Sequence, residues 1–152
     1  MTAESFAEWA GIDPARGRAT FDALAKSLMP VRTPIGDAWM LSSDEQAARA
    51  KPGRPAAARL IPSGDTFFLL QGADRSLLVP DAKRRGRLWT SRVWPGAVLV
   101  SGEVVGIWRR GGTVVDVEPW RRLARAEREA VEAEARSLPL PDAGEIRVRW
   151  TE

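Results

Sequence analysis

The order of apolar and polar residues at the start of the chain predicts two consecutive helices. Thr2 or Ser5 can cap the first helix, and Gly11 is expected to end it. Asp13-Pro14 is typical of a second helix start, because aspartate caps free N–H groups and proline suits the first helical position. We expect this helix to run until Pro30 stops it and to bury a stripe at i, i+3, i+4 and i+7: Phe21, Leu24, Ala25 and Leu28.

A hairpin and a further short helix follow. Two apolar segments, Met29–Arg32 and Ala38–Leu41, flank the turn Pro34-Ile35-Gly36-Asp37 and predict an antiparallel pair. Ser42-Ser43-Asp44 can then cap a short helix that ends near Ala50. Two helices followed by a hairpin are the order of a small winged-helix unit.

The rest of the chain contains mostly short apolar runs typical of strands. Ser101-Gly102-Glu103 and Gly111-Gly112 predict tight turns between three of them. Leu123–Leu138 has apolar residues on one helical face and predicts a single covering helix. The apolar runs are Ala58–Pro62, Phe67–Leu70, Ala97–Val100, Val104–Arg110, Thr113–Val117 and a last alternating run, Glu145–Trp150.

These elements predict an α+β fold: an N-terminal winged-helix unit followed by a small antiparallel β-sheet or barrel with one covering helix. Lys51-Pro52-Gly53-Arg54-Pro55 has the composition of a linker. We therefore expect a winged-helix-like unit at residues 1–50, a linker at 51–57, and the sheet domain with its helix and closing strand at 58–152.

The residue types that are absent exclude several kinds of chemistry. The 152 residues include no Cys, His or Tyr, so the chain cannot form a disulfide, a Ser–His–Asp triad or a zinc site of the usual nitrogen–sulfur type. No apolar run has the length of a membrane helix, and the first residues lack the features of a secretion signal. We expect no cofactor, no metal and no membrane association, and a cytoplasmic location, at the nucleoid if the protein binds DNA.

Positive charge is concentrated in one segment. The chain has 23 Lys and Arg against 20 Asp and Glu, and its arginine and alanine content is what a GC-rich genome would produce. Between Arg75 and Arg92, however, six cations accompany Asp81 alone. This composition fits either a phosphate-binding surface or a solvated loop. The candidate phosphate contacts in it are Lys83, Arg84, Arg85 and Arg87.

The second predicted helix is the candidate recognition helix. Arginine can bind guanine edges in the major groove, and lysine can bind phosphates. Ala15, Ala19 and Asp22 share the exposed side, so an ordinary solvated face is the alternative interpretation. The candidate DNA-binding residues here are Arg16, Arg18 and Lys26 on the helix and Arg32 in the hairpin.

Two other groups of residues are expected to be structural. Trp94 and Trp108 are expected to fill the core rather than to stack on bases. The glutamates of the late helix lie three or four positions from its arginines and predict surface ion pairs instead of a catalytic carboxylate pair.

Several short motifs occur in one order with consistent spacing and resemble a known family. They are Arg59-Leu60-Ile61-Pro62, Ala73-Asp74-Arg75-Ser76, Val93-Trp94-Pro95, the hairpin Val98–Arg110, and Val117-Glu118-Pro119-Trp120. This series is similar to the C-terminal part of the winged-helix DNA glycosylases of the AlkZ/YcaQ type, which excise alkylated or crosslinked bases. The first fifty residues resemble the last winged-helix unit of that family.

The resemblance implies the fold and an association with duplex DNA, but not base excision. Members of the family are considerably longer than this chain, with further winged-helix units ahead of the part seen here. Their catalytic signature, usually written Gln-x-Gln, lies in that portion. Gln46 and Gln71 are the only glutamines of this chain, and neither has a glutamine two positions away.

Three hypotheses of function follow. The leading one is a non-enzymatic DNA-binding module that contacts duplex DNA mainly through phosphates. The second is a component of a split or truncated base-excision glycosylase, with a protein partner that carries the catalytic winged-helix portion. The third is a structural or protein-interaction module.

Overall fold

A computed structural model describes residues 1–66, 74–139 and 144–151 of the chain. The predicted apolar run Phe67–Leu70 lies outside the described residues, as do Ala73 and Leu140-Pro141. The chain divides into two compact units, which we call the N-terminal unit (residues 1–53 with 74–77) and the sheet unit (54–66, 78–139 and 144–151 of the described part). None of the described helices is long and apolar enough to cross a membrane.

The N-terminal unit begins with two helices that pack closely through small residues. Helix α1 is Ala3–Ala10, with Thr2 as its N-cap, and ends at the left-handed Gly11; helix α2 is Pro14–Ala23, capped by Asp13. The predicted helix starts are confirmed. Gly17 of α2 is buried against Ala7 of α1, so the buried contact between the helices involves residues without bulky side chains.

The predicted end of α2 is wrong. The helix stops at Ala23, and Leu24 and Ala25, assigned to its buried stripe, are exposed. The reason is that the hairpin begins earlier than expected: Leu28 pairs with Leu41 and needs an extended backbone. Pro30 consequently lies within a strand instead of stopping a helix.

The hairpin and the short helix after it are confirmed. Strands β1 (Leu28–Thr33) and β2 (Gly36–Leu41) are antiparallel and are joined by Pro34 and Ile35 alone. A single 3₁₀ turn, Ser42–Asp44, leads into helix α3, Glu45–Arg49.

The sheet unit is built on a five-stranded sheet in chain order. Its strands are β3 (Ala58–Ile61), β4 (Gly96–Val100), β5 (Glu103–Gly111), β6 (Val114–Pro119) and β7 (Arg147–Trp150). The first three pairings are antiparallel, as predicted. The prediction of an antiparallel sheet is wrong for the last pairing, because β7 runs parallel to β6. The α+β class is confirmed, with an open sheet rather than a closed barrel among the described strands.

Helices cover both faces of this sheet. Helix α6 (Arg125–Arg136) is the predicted covering helix, and its Val131 and Ala135 are buried in a cluster with the inward residues of all the strands. On the opposite face, Val79 and Leu88 pack on Leu99 and its neighbours. Leu88 ends helix α5 (Ala82–Leu88), which follows the short helix α4 (Asp74–Leu78). The second face of the sheet is therefore covered by residues of the segment that contains the densest positive charge.

Candidate nucleic-acid interface

The close contact between α1 and α2 turns the arginines of α2 outward. Gly17 lies on the side of α2 that packs against α1, and its neighbours Arg16 and Arg18 are both exposed. Arg18 lies 4.0 Å from Glu4, with both side chains more than half exposed, so this pair contributes little to stability. Both guanidinium groups are therefore accessible to a ligand.

The side chains of Lys26 and Arg32, the other two predicted cations of this unit, are also exposed, but Lys26 does not lie on α2 as predicted. Lys26 lies in the turn after the helix, because the helix ends before it. Arg32 lies on β1 opposite Asp37, with a nitrogen–oxygen distance of 3.7 Å and side-chain exposures of 91% and 84%. The structure thus brings three chain segments with exposed cations into one unit.

The N-terminal unit nevertheless has no excess of positive charge. Residues 1–53 contain six Lys and Arg but seven Asp and Glu. Any attraction to DNA phosphates here has to come from the local positions of a few cations rather than from the field of the unit.

The basic segment of the sheet unit is a helix, not the loop that its composition suggested. Asp81 caps α5 by accepting hydrogen bonds from the backbone N–H groups of Lys83 and Arg84, which lower the pKa of the Asp81 carboxyl. Leu88 at the other end is buried. The cap at its start and the buried Leu88 at its end fix the two ends of a helix whose other residues are mostly charged.

Three of the four predicted phosphate contacts on α5 are engaged within the protein. Arg85 donates to the carbonyl oxygens of Val79 and Pro80 at 2.8 and 2.5 Å. Arg87 forms an ion pair with Glu118 of β6. These bonds hold α5 in place, and they mean that a dense cationic sequence gives fewer available cations than its formal charge suggests.

The other two basic residues of α5, Arg84 and Lys83, differ in how accessible they are to a ligand. Arg84 donates to the carbonyl oxygen of Trp120 at 3.0 Å, and its guanidinium carbon lies 5.7 Å from the centre of the Trp120 ring. Lys83 is exposed, and its side chain forms no hydrogen bond or ion pair with the described residues. Lys83 is therefore the most accessible of the four.

A second cationic surface, which the sequence did not indicate, lies at the end of β5. Arg109 and Arg110 line a cleft of about 250 Å³ together with Ser63, Val93, Trp94 and Trp108. Both tryptophans are half-buried, and each indole N–H is bonded to a backbone carbonyl: Trp94 to Thr90 and Trp108 to Ile61. The Trp-Pro and Trp-Arg-Arg motifs were visible in the sequence, but nothing in it placed them side by side.

The described part of the chain shows no assembled catalytic group. Gln46 is exposed on α3, and Gln71 lies outside the described residues. Glu129 and Glu132 of α6 form the predicted ion pairs four positions away, with Arg125 at 2.7 Å and Arg136 at 3.3 Å. Glu127 instead pairs with Arg121, which precedes the helix, at 2.7 Å. Among the described residues no three carboxylates come together as a metal site would need.

Comparisons with known proteins identify one family and one fold. The sequence model for proteins described as "DNA glycosylase AlkZ-like" matches residues 1–139. The solved structure of Streptomyces sahachiroi DNA glycosylase AlkZ is similar, with a TM-score of 0.75 and 22% identity, over 99% of this chain and 41% of that one. The chain therefore spans less than half the length of that glycosylase. No curated protein matches the sequence.

Proposed function

The chain belongs to the AlkZ-like family of DNA glycosylases, and we propose that it is a DNA-binding part of that architecture that does not excise bases by itself. The DNA-related part of this proposal rests on the family match over residues 1–139, and the non-excising part on the absence of a Gln-x-Gln sequence from these 152 residues. The order of α1, α2 and the β1–β2 hairpin, two helices followed by a hairpin, is compatible with a small winged-helix unit and supports the proposal.

We place the DNA contacts on the exposed cations described above. In the N-terminal unit these are Arg16, Arg18, Lys26 and Arg32. In α5 the contact is Lys83. The arginines Arg84, Arg85 and Arg87 can contribute only if a phosphate replaces the acceptor to which each is bonded within the protein. Phosphate contacts position a protein on DNA without specifying sequence. We therefore expect binding with weak sequence preference.

Fluorescence anisotropy with a labelled duplex at two salt concentrations tests this function. The affinity of the full chain should fall steeply with salt, because each phosphate contact releases condensed counterions. Arg16→Gln/Lys26→Gln should weaken binding and reduce the slope of log affinity against log salt by about two. Arg125→Gln/Arg136→Gln removes the same charge from the outer face of α6 and is the matched control. Absence of binding at low salt would refute the proposal and favour a structural or protein-interaction module.

The length comparison supports a second candidate, a component of a split base-excision enzyme. The similar glycosylase is more than twice as long as the part that this chain matches. On this hypothesis a separate chain with a Gln-x-Gln motif supplies catalysis. Release of bases from alkylated duplex DNA should then require both chains, whereas release by this chain alone would contradict both candidates.

A further inference from the structure

Strand β5 extends beyond its neighbour and leaves an open edge. The first residue of β4, Gly96, pairs with Trp108, so Arg109, Arg110 and Gly111 continue with a strand partner only on the β6 side. An edge of this kind presents backbone polar groups to a ligand. Pro95, the residue immediately before β4, has no N–H group and therefore cannot donate a backbone hydrogen bond to this edge of β5.

The two arginines at this edge are not neutralised by carboxylates of the described residues. Arg109 lies 3.5 Å from the carbonyl oxygen of Val93 through two guanidinium nitrogens, and Arg110 donates to the carbonyl oxygen of Gly112 at 2.9 Å. The residue opposite Arg109 on β6 is Asp116, but its carboxylate is bonded to Arg149 at 2.5 and 2.9 Å. Because these acceptors are uncharged carbonyl oxygens and both arginines are exposed, the guanidinium charges are not neutralised and the remaining N–H groups can reach an anion.

The remaining lining of the cleft suits a phosphate that is attached to a sugar. No residue that lines it is acidic, and Ser63 adds a hydroxyl group. Val93, next to Trp94, is 72% exposed and forms an apolar rim beside the cationic one. A phosphodiester fits this combination, because the guanidinium groups can donate to its phosphate oxygens and the apolar rim offers a surface to the attached sugar.

We propose that the cleft between the end of β5 and the Val93-Trp94-Pro95 segment binds a backbone phosphate of DNA, with Arg109 and Arg110 as the donors. This inference rests on the proposed function but concerns a different surface from α2 and α5. It assigns the sheet unit a second DNA contact besides the one proposed for α5. The shared chemistry is a phosphate oxyanion, which a duplex or free inorganic phosphate can supply.

Binding measurements on the full chain test the arginines first. Arg109→Gln/Arg110→Gln should lower duplex affinity at least about tenfold at low salt and flatten the salt slope by about two, because two charge-assisted contacts are lost. Arg109→Lys/Arg110→Lys keeps the charge and should keep most of the slope while losing affinity, because lysine lacks the two-pronged geometry of the guanidinium group. Arg125→Gln/Arg136→Gln again controls for net charge, and circular dichroism should show that every variant folds.

NMR titration of the wild-type chain separates the two levels of the proposal. Assigned Trp94 and Trp108 indole signals and the Arg109 and Arg110 side-chain N–H signals are followed during addition of duplex DNA and, separately, inorganic phosphate. If duplex binds but these signals stay in place and the glutamine pair keeps wild-type affinity, the cleft inference is wrong and the proposed function stands. If phosphate shifts them while duplex does not bind, the anion site stands and the proposed function is wrong. If neither ligand shifts them, the inference is overturned.

Discussion

Replacing Gly17 by alanine is expected to force α1 and α2 apart. A Cβ atom on Gly17 would lie 2.7 Å from the carbonyl oxygen of Ala3 and 2.8 Å from the Cβ of Ala7. Neither atom is the end of a flexible side chain, so α1 itself has to move. Overpacking of this kind costs about 3 kcal/mol, while alanine recovers about 1 kcal/mol of helix propensity. The expected net loss in the free energy of unfolding is therefore about 2 kcal/mol.

The same substitution in α5 is the matched control and should have the opposite sign. A Cβ on Gly86 would meet no heavy atom within 4 Å. Gly86→Ala therefore gains the helix propensity without a packing cost and should stabilise the sheet unit by about 1 kcal/mol. Because the chemical change is identical at both sites, the difference in sign isolates the helix–helix contact.

Thermal unfolding followed by assigned signals of each unit measures the effect, because two compact units can unfold separately. The Trp9 and Trp39 indoles report on the N-terminal unit. Gly17→Ala should lower its midpoint by about 8–16 °C, at roughly 4–8 °C per kcal/mol for a unit of this size, and leave the sheet unit unchanged. A Gly17→Ala chain as stable as wild type would refute the contact, and a destabilising Gly86→Ala would refute the helical placement of α5.

Two further predictions concern ion pairs of the sheet unit. Arg121 and the backbone N–H of Ala124 lower the pKa of Glu127 to about 2, so its contribution to stability is present above the ordinary value of 4.5 and is lost as pH falls toward 2. Glu127→Gln should flatten the fall in unfolding free energy over that interval in acid denaturation, and an unchanged fall would contradict this assignment. A double-mutant cycle on Arg87 and Glu118 should give a coupling of about 0.5–1 kcal/mol in urea denaturation, since the pair is partly exposed, and a coupling of zero would contradict its role in holding α5.

The elements that the sequence predicted correctly are those set by neighbouring residues. Asp13 and Pro14 determine the start of α2 through one side-chain cap and one fixed backbone angle. Ser101 and Gly102 both have positive φ, 51° and 89°, which fits the tight two-residue connection between β4 and β5. Such features need no information from distant parts of the chain.

The wrong predictions involve partners that are distant in sequence. The spacing of Leu24 and Leu28 fits a helix, but the pairing of Leu28 with Leu41 is a contact across the hairpin that periodicity does not contain. Helix α5 has no apolar stripe to reveal it, since only Leu88 is buried. The parallel pairing of β7 with β6 likewise depends on how α6 returns the chain to the sheet.

The same distinction applies to the candidate site: the sequence shows which residues are charged, but the fold determines which of these charges a ligand can reach. Arg59 bonds to Glu134, 75 residues away, and Arg85 is occupied by the carbonyls of the segment before its own helix. Arg110, in a segment that is less basic than α5, lies instead at a strand edge beside an open cleft. Phosphate affinity depends on donors that are free to exchange water for a ligand, so it should follow this availability rather than the density of basic residues. The sequence locates the charges, but only the fold, here the extension of β5 beyond the shorter β4, shows which arginines have no carboxylate partner among the described residues.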